Sequence, residues 1–378
     1  MTILFVGLLL ILYGVLARRK YSIWVGMFFV LLIMGFQEGI PGDYDGYKNN
    51  FESGGEVGGI RGSSIKETEF SIIWLTQKMS SLMNFHWYVL LTSIIQCVII
   101  GLMIKNHVER KYHYFGVLLV FFTFNIMMVQ MKAMRQGYAI EMFFLAYYLI
   151  GKRKYLLSLV PVFIGFGFHN SSMVTIPFYI LLVFLMLKQR NKKQSVINDI
   201  VDHNRSVKIS LIVSVIFFIF YFLSFKVINV YVGPYLLSLE FFEYGGFLED
   251  FTKQSTVSFF ILVYYLISIF VVTLYYLKEK TLYYKYLAIL VIISYCLSIT
   301  FASYGNLQRI VMYFQIFSII VYPRCASMLQ SNYGRHLATG YIVFNMFFLM
   351  RTSVACMFSN DYINGNGFAS FTFSFLNW

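Results

Sequence analysis

Apolar runs of near-bilayer length follow one another along almost the whole chain, separated by short polar stretches where lysine and arginine concentrate. A membrane-crossing helix needs about 20 mainly apolar residues. On that criterion helices are predicted over 2–17, 22–38, 85–104, 114–131, 134–151, 155–168, 172–187, 208–228, 256–277, 285–303, 309–324 and 336–355. The pattern predicts an all-α polytopic membrane protein with about twelve transmembrane helices. Several runs are shorter than a full crossing, which is tolerated where a helix breaks inside protein or against water.

Between Lys132 and Ser172 the pattern is most explicit. Lys132-Ala-Met-Arg135-Gln136-Gly opens an apolar run, Lys152-Arg153-Lys154 interrupts it, and a second run ends in Phe168-His169-Asn170-Ser171-Ser172. Two apolar segments sharing one short basic loop predict a helical hairpin whose loop faces the cytoplasm. Arg135 and His169 then share its opposite, outer end. Charged and titratable groups at a membrane face are costly, which makes both functional candidates.

Composition sharpens the class. The chain is 59% apolar and 12% charged, which excludes a soluble or a disordered protein. A net charge of +13 raises nucleic acid as a partner. Most of the 30 lysines and arginines, however, lie in loops threaded to one side, where they set orientation, so nucleic acid is excluded. The same threading puts both termini outside. Residues 1–17 lack a basic leader, and Arg18-Arg19-Lys20 follows them, so a retained first span with an outer N-terminus is expected. Cys97, Cys296, Cys325 and Cys356 show no metal-ligand spacing and read as packing residues.

The whole chain reads as one integral membrane domain with four larger connecting segments. Residues 39–84 form an outer loop, flexible around its glycines, in which Phe70, Ile73, Trp74, Gln77 and Lys78 fall at helical spacing. That spacing predicts a short interfacial or re-entrant helix on the outer face over 70–83. Residues 188–207 read as a cytoplasmic loop, 229–255 as an aromatic and acidic outer loop, and 356–378 as an outer tail.

Candidate chemistry gathers at the outer end. Lys132, Arg135 and Gln136 stand at i, i+3 and i+4, on one helix face and at the positive end of the helix dipole, which suits an anion. Arg309 opens another helix from the same side, and Arg351 lies just inside the outer end of the last. Guanidinium groups bind phosphate oxygens in bidentate fashion, so converging arginines point to a lipid-linked phosphate or pyrophosphate. Snorkelling to the interface is the competing role for each cation. His169 could serve as a general base for a sugar hydroxyl or as an interfacial hydrogen-bonding residue. Glu141 lies deep in its span and requires a partner. Asp43-Tyr44-Asp45 offers a base, a cation ligand or a polar turn.

Five short motifs stand in order from about residue 40 to 325. They are Gly42-Asp43-Tyr44 with Tyr47, Lys66-Glu67-Thr68-Glu69-Phe70, Arg135-Gln136-Gly137 with Ala139, Phe168-His169 with Ser171, and Arg309 with Tyr313 followed by Pro323. This series resembles the EpsG/Wzy family of exopolysaccharide and O-antigen polymerases. The second motif departs from the family's Glu-Pro-Gly-Phe, keeping Glu67 and replacing the Pro-Gly.

The resemblance implies a GT-C-like membrane glycosyltransferase of the bacterial inner membrane, working at the periplasmic or exterior face. It would transfer a glycan from undecaprenyl pyrophosphate to the sugar of another lipid-linked repeat unit, without a metal or other cofactor. It also implies Arg135 and Arg309 as pyrophosphate ligands, His169 or Asp43 as the base, and Gln136, Tyr47 and Glu67 as sugar-positioning residues. Lys132, Tyr313 and Arg351 complete the expected binding set. Lipid-linked oligosaccharide, membrane lipid and a chain-length regulator are the expected partners. Another polyprenyl-phosphate-dependent enzyme, an O-antigen ligase and a flippase are the competing readings. A transporter would want an internal repeat and charges at mid-membrane.

Overall fold

The structure is a computed structural model that describes residues 22–38, 44–54, 69–123, 131, 133–191, 203–223, 259–300, 305–358 and 372–373. Apart from one short strand pair, its regular elements are helices: α1 (Ser22–Gly35), α2 (Tyr44–Glu52), α3 (Phe70–Ser80), α4 (Phe85–His107), α5 (His113–Phe122), α6 (Met134–Gly151), α7 (Tyr155–Phe168), α8 (Ile176–Asn191), α9 (His203–Leu223), α10 (Phe259–Lys278), α11 (Leu282–Thr300), α12 (Gly305–Gln315), α13 (Ser318–Tyr333) and α14 (Arg335–Phe358). The strands β1 (Gln37–Glu38) and β2 (Thr372–Phe373) pair antiparallel, Gln37 opposite Phe373.

Among the described residues four helices are long and apolar enough to cross a membrane: Phe85–His107, Asn170–Gln189, Ile261–Lys278 and Leu282–Thr300. The protein is an α-helical membrane protein. The expected span 2–17 lies outside the described residues, as do the loop 229–255 and most of the tail 356–378. The helix expected over 70–83 runs Phe70–Ser80.

Two expectations need correcting. The helix predicted over 114–131 ends at Phe122, where Thr123 turns extended (φ −79°, ψ 92°). The single helix predicted over 309–324 is two, α12 and α13, parted by a turn at Ile316–Phe317. The second continues ten residues past Pro323 to Tyr333. An apolar run has the same hydropathy whether its backbone is straight or broken, so the break leaves no mark in the pattern.

The chain divides into two compact units, Met1–Val183 with Tyr322–Trp378, and Phe184–Val321. In the second, α9 packs on α10, α10 on α11 and α11 on α12. Tyr264, Tyr265 and Tyr295 form an aromatic cluster there, the last two rings 4.9 Å apart.

The first unit is built around α6, which is buried along nearly its whole length. Its principal neighbour is α7, the other arm of the predicted hairpin. Gly165 lets the arms touch, since a Cβ there would stand 3.1 Å from both Met142 and the Phe143 ring. Small residues at such crossings let helix backbones approach where no hydrophobic force drives association. The hairpin turns tightly at Lys152–Lys154, with Lys154 N–H donating to Leu149 O (2.8 Å) and Arg153 in the left-handed region (φ 60°). Helix α1 packs on α4 in the same manner, with Gly101 under the Trp24 ring and Gly35 against Leu90.

Candidate functional site

Three segments meet at the N-terminal end of α6. The first is α2, whose sequence Tyr44-Asp-Gly-Tyr47-Lys-Asn-Asn-Phe51 places Tyr44, Tyr47 and Phe51 on one face at i, i+3 and i+7. That face is buried. Tyr44 packs edge-on to Phe85 (5.4 Å) and Phe51 on Tyr88 (4.8 Å), which fixes α2 on the first turns of α4. Helix α4 in turn holds α6, because the Tyr138 hydroxyl donates to Thr92 Oγ1 (3.0 Å).

The second segment is the start of α3. Gly167, near the end of α7, has no side chain to hold α3 away. A Cβ at that position would lie 2.3 Å from Ser71 Oγ and 2.7 Å from Phe70 Cζ. Phe70 also stacks against Phe163 of α7 (4.9 Å). The residue preceding Phe70, Glu69, is therefore carried to the end of the hairpin.

There Glu69 forms an ion pair with Arg135 through Oε2 and Nη1. Both residues are buried, Arg135 at 5% and Glu69 at 4% exposure. Glu69 occupies the N-cap position of α3, yet its carboxylate makes no capping hydrogen bond. Tyr47 completes the arrangement. Arg135 Nε donates to its hydroxyl at 3.5 Å, and the guanidinium carbon lies 5.9 Å from its ring centroid. Gln136, the next residue on α6, is buried at 1% exposure.

The third segment is the turn after α7. Its backbone leaves the helix at His169 in extended conformation (φ −159°, ψ 126°) and winds into a 3-10 turn over Asn170–Thr175. Phe168 packs on Tyr138, one helical turn along α6 from Arg135 (5.4 Å). His169 Nδ1 accepts from the Ser171 backbone N–H at 3.1 Å, and the Ser171 hydroxyl lies 2.9 Å from the same nitrogen. The predicted hairpin thus carries Arg135 and His169 at one end.

The structure places the remaining expected residues unevenly. Asp43, Glu67 and Lys132 lie outside the described residues. Arg309 is on α12 and Arg351 on α14, their side chains not described, while Tyr313 is buried on α12. Glu141 is buried at 1% exposure, on the buried helix α6.

Glu69 is the residue that sequence reasoning missed. Glu67 carried the expectation because it matches a motif, whereas Glu69 is the carboxylate that reaches Arg135. A usable signal was present. A buried arginine needs an opposite charge, and Glu69 abuts the first apolar residue of α3. The guanidinium expected to face an anionic ligand is therefore matched first by a carboxylate of the protein itself.

In comparison with known proteins, the profile of the EpsG family matches residues 20–364. No curated protein and no solved structure gives a match.

Proposed function

This chain belongs to the EpsG family, and from that premise we propose that it is a polysaccharide polymerase, a membrane glycosyltransferase joining lipid-linked repeat units. The donor on this reading is a glycan on undecaprenyl pyrophosphate, and the acceptor is the sugar of a second lipid-linked unit. The bond between the anomeric carbon and the phosphate oxygen breaks, its electron pair leaving with the pyrophosphate. An acceptor hydroxyl oxygen bonds to that carbon and gives up its proton. The scaffold is GT-C-like with about twelve crossings, and the reaction faces the exterior of the bacterial inner membrane.

The observation that carries the reading is the buried assembly of Arg135, Glu69 and Tyr47 at the His169 end of the hairpin. A buried ion pair contributes little net stability, because desolvating both charges offsets their attraction. Tyr47 of α2 and Glu69 at the start of α3 converge on one guanidinium here, and stability alone does not account for that. What the arrangement supplies is orientation: Glu69 and Tyr47 fix a planar donor that can meet phosphate oxygens. Negative charge grows on the leaving pyrophosphate, so fixed donors there lower the barrier. Arg309, Lys132 and Arg351 are further cationic ligands on this reading, and Gln136, Glu67 and Tyr313 contact sugars. Proton transfer from the acceptor falls to either Asp43 or His169.

Glycan length on a gel tests this, in cells carrying Arg135→Ala, Arg309→Ala or His169→Ala at matched protein levels. The expected result is loss of the polymer ladder with single lipid-linked units retained. A normal ladder in all three removes the assignment. Absence of all surface glycan, single units included, indicates translocation instead.

A further inference from the structure

The turn after α7 fixes the protonation pattern of the His169 ring. A backbone N–H is an obligate donor, so the Ser171 amide, 3.1 Å from Nδ1, requires a lone pair on that nitrogen. The Ser171 hydroxyl, 2.9 Å away, is a second neighbour of the same atom. A proton on Nδ1 would satisfy the hydroxyl and oppose the amide, whereas a lone pair accepts from both. The neutral ring therefore carries its hydrogen on Nε2. His169 is also the N-cap of the turn, an acceptor role usually filled by Ser, Asp or Asn. Its acceptor capacity is committed to holding Asn170–Thr175 in place.

A general base needs a lone pair aimed at the proton it removes. In this tautomer Nε2 has none to offer. We infer that His169 works as a hydrogen-bond donor through Nε2–H to an oxygen of the lipid-linked pyrophosphate, and that it is not the base. The inference rests on the polymerase reading and divides the proton chemistry left open there. Asp43 takes the acceptor's proton, while His169 keeps its own throughout.

The ligand class follows from donor chemistry. Phosphate oxygens only accept hydrogen bonds, so a fixed donor meets them with no competing orientation. Sugar hydroxyls both give and take. A neutral imidazole also stabilises growing oxyanion charge without adding a second cation at the end of the hairpin that carries Arg135. Its bond to the phosphate oxygen strengthens as the anomeric carbon–oxygen bond breaks.

Asparagine and glutamine separate the two ring nitrogens. Glutamine at 169 places an amide N–H near the Nε2 position and has no basicity. Asparagine places its oxygen near Nδ1, keeping the cap for Ser171 and removing the distal donor. Full-length protein is assayed in membranes from cells that lack the native polymerase and accumulate their own lipid-linked repeat units. The expected result is His169→Gln within about 10-fold of the wild type, with His169→Asn and His169→Ala down about 100-fold or more. His169→Gln as inactive as His169→Ala, at equal protein level, overturns the donor role. Nitrogen-15 NMR of the histidine rings gives an independent check, the His169 signal being the one missing from His169→Asn. An Nε2-protonated ring is expected, and an Nδ1-protonated ring overturns the inference. A wild type that polymerises nothing in these membranes overturns the polymerase reading itself, which the variants alone would not.

Discussion

Arg135 and Glu69, 66 residues apart in the chain, form a buried ion pair at the end of the α6–α7 hairpin. Neither charge has bulk water to fall back on. Each is held by the other, and the guanidinium is also hydrogen bonded to the Tyr47 hydroxyl. The pair is consequently a position lock between α3 and α6 more than a source of net stability.

Breaking it from one side should cost more than removing it whole. Glu69→Leu or Arg135→Met strands the opposite charge in a buried site, at about 3–5 kcal/mol each. The double variant leaves two apolar side chains and should recover most of that loss, giving a large coupling in a double-mutant cycle. Apparent melting temperature in detergent reads the stability, and the polymer ladder should vanish in all three variants. Additive losses would show that the two charges do not face one another.

Gly167 sets the approach that makes the pair possible. Alanine there places a methyl 2.3 Å from Ser71 Oγ and 2.7 Å from Phe70 Cζ, so the start of α3 must move. A cost of about 1–3 kcal/mol is expected from overpacking, with polymer formation falling as Glu69 is carried away. Gly340→Ala is the control, because a Cβ there meets nothing within 4 Å. In a helix interior that change should be neutral or stabilising by up to about 1 kcal/mol. Equal effects from both substitutions would rule out a role for the contact.

The hairpin turn carries its own strain. Arg153 holds φ at 60°, where a side chain costs about 1–2 kcal/mol relative to glycine. Arg153→Gly should therefore raise the apparent melting temperature slightly, and Arg153→Ala should leave it unchanged. A drop with Arg153→Gly would mean that the exposed guanidinium contributes more than the backbone loses.

The α6–α7 hairpin was legible because apolar length and the Lys152–Lys154 loop act locally, and its ends fix where Arg135 and His169 go. The helix Phe70–Ser80 was legible for the same reason: Phe70, Ile73 and Trp74 declare a helix by spacing alone. The partner of Arg135 was not. Glu69 and Glu67 are equivalent in charge and loop context, and the choice depends on how closely α3 presses on α7 at Gly167. The acceptor role of His169 Nδ1 was hidden too, since it arises from the extended backbone after Phe168. The break between α12 and α13 leaves hydropathy unchanged, so only the folded backbone reveals it.

At the opposite end of α6, Lys152 Nζ donates to Asn106 Oδ1 (3.1 Å), and the connection after α4 is latched to α13. Arg324 Nη1 donates to His107 O (2.9 Å), Tyr112 donates to Gln330 Oε1 (2.6 Å), and the Ser327 hydroxyl donates to Glu109. Partial burial pushes the Glu109 carboxyl up, but the Ser327 hydroxyl together with Lys111 and Arg324 outweighs it and holds the group below the ordinary carboxylate range. A carboxyl depressed in the folded state stabilises above its unfolded value and loses that contribution as pH falls through the folded one. Glu109→Gln should thus lower the apparent melting temperature at pH 7, and the gap to the wild type should close below about pH 4. Glu109 is largely exposed, so the gap should be modest and should shrink in high salt. A gap constant from pH 7 to 3.5 would mean that the Glu109 side chain acts through shape and not through charge.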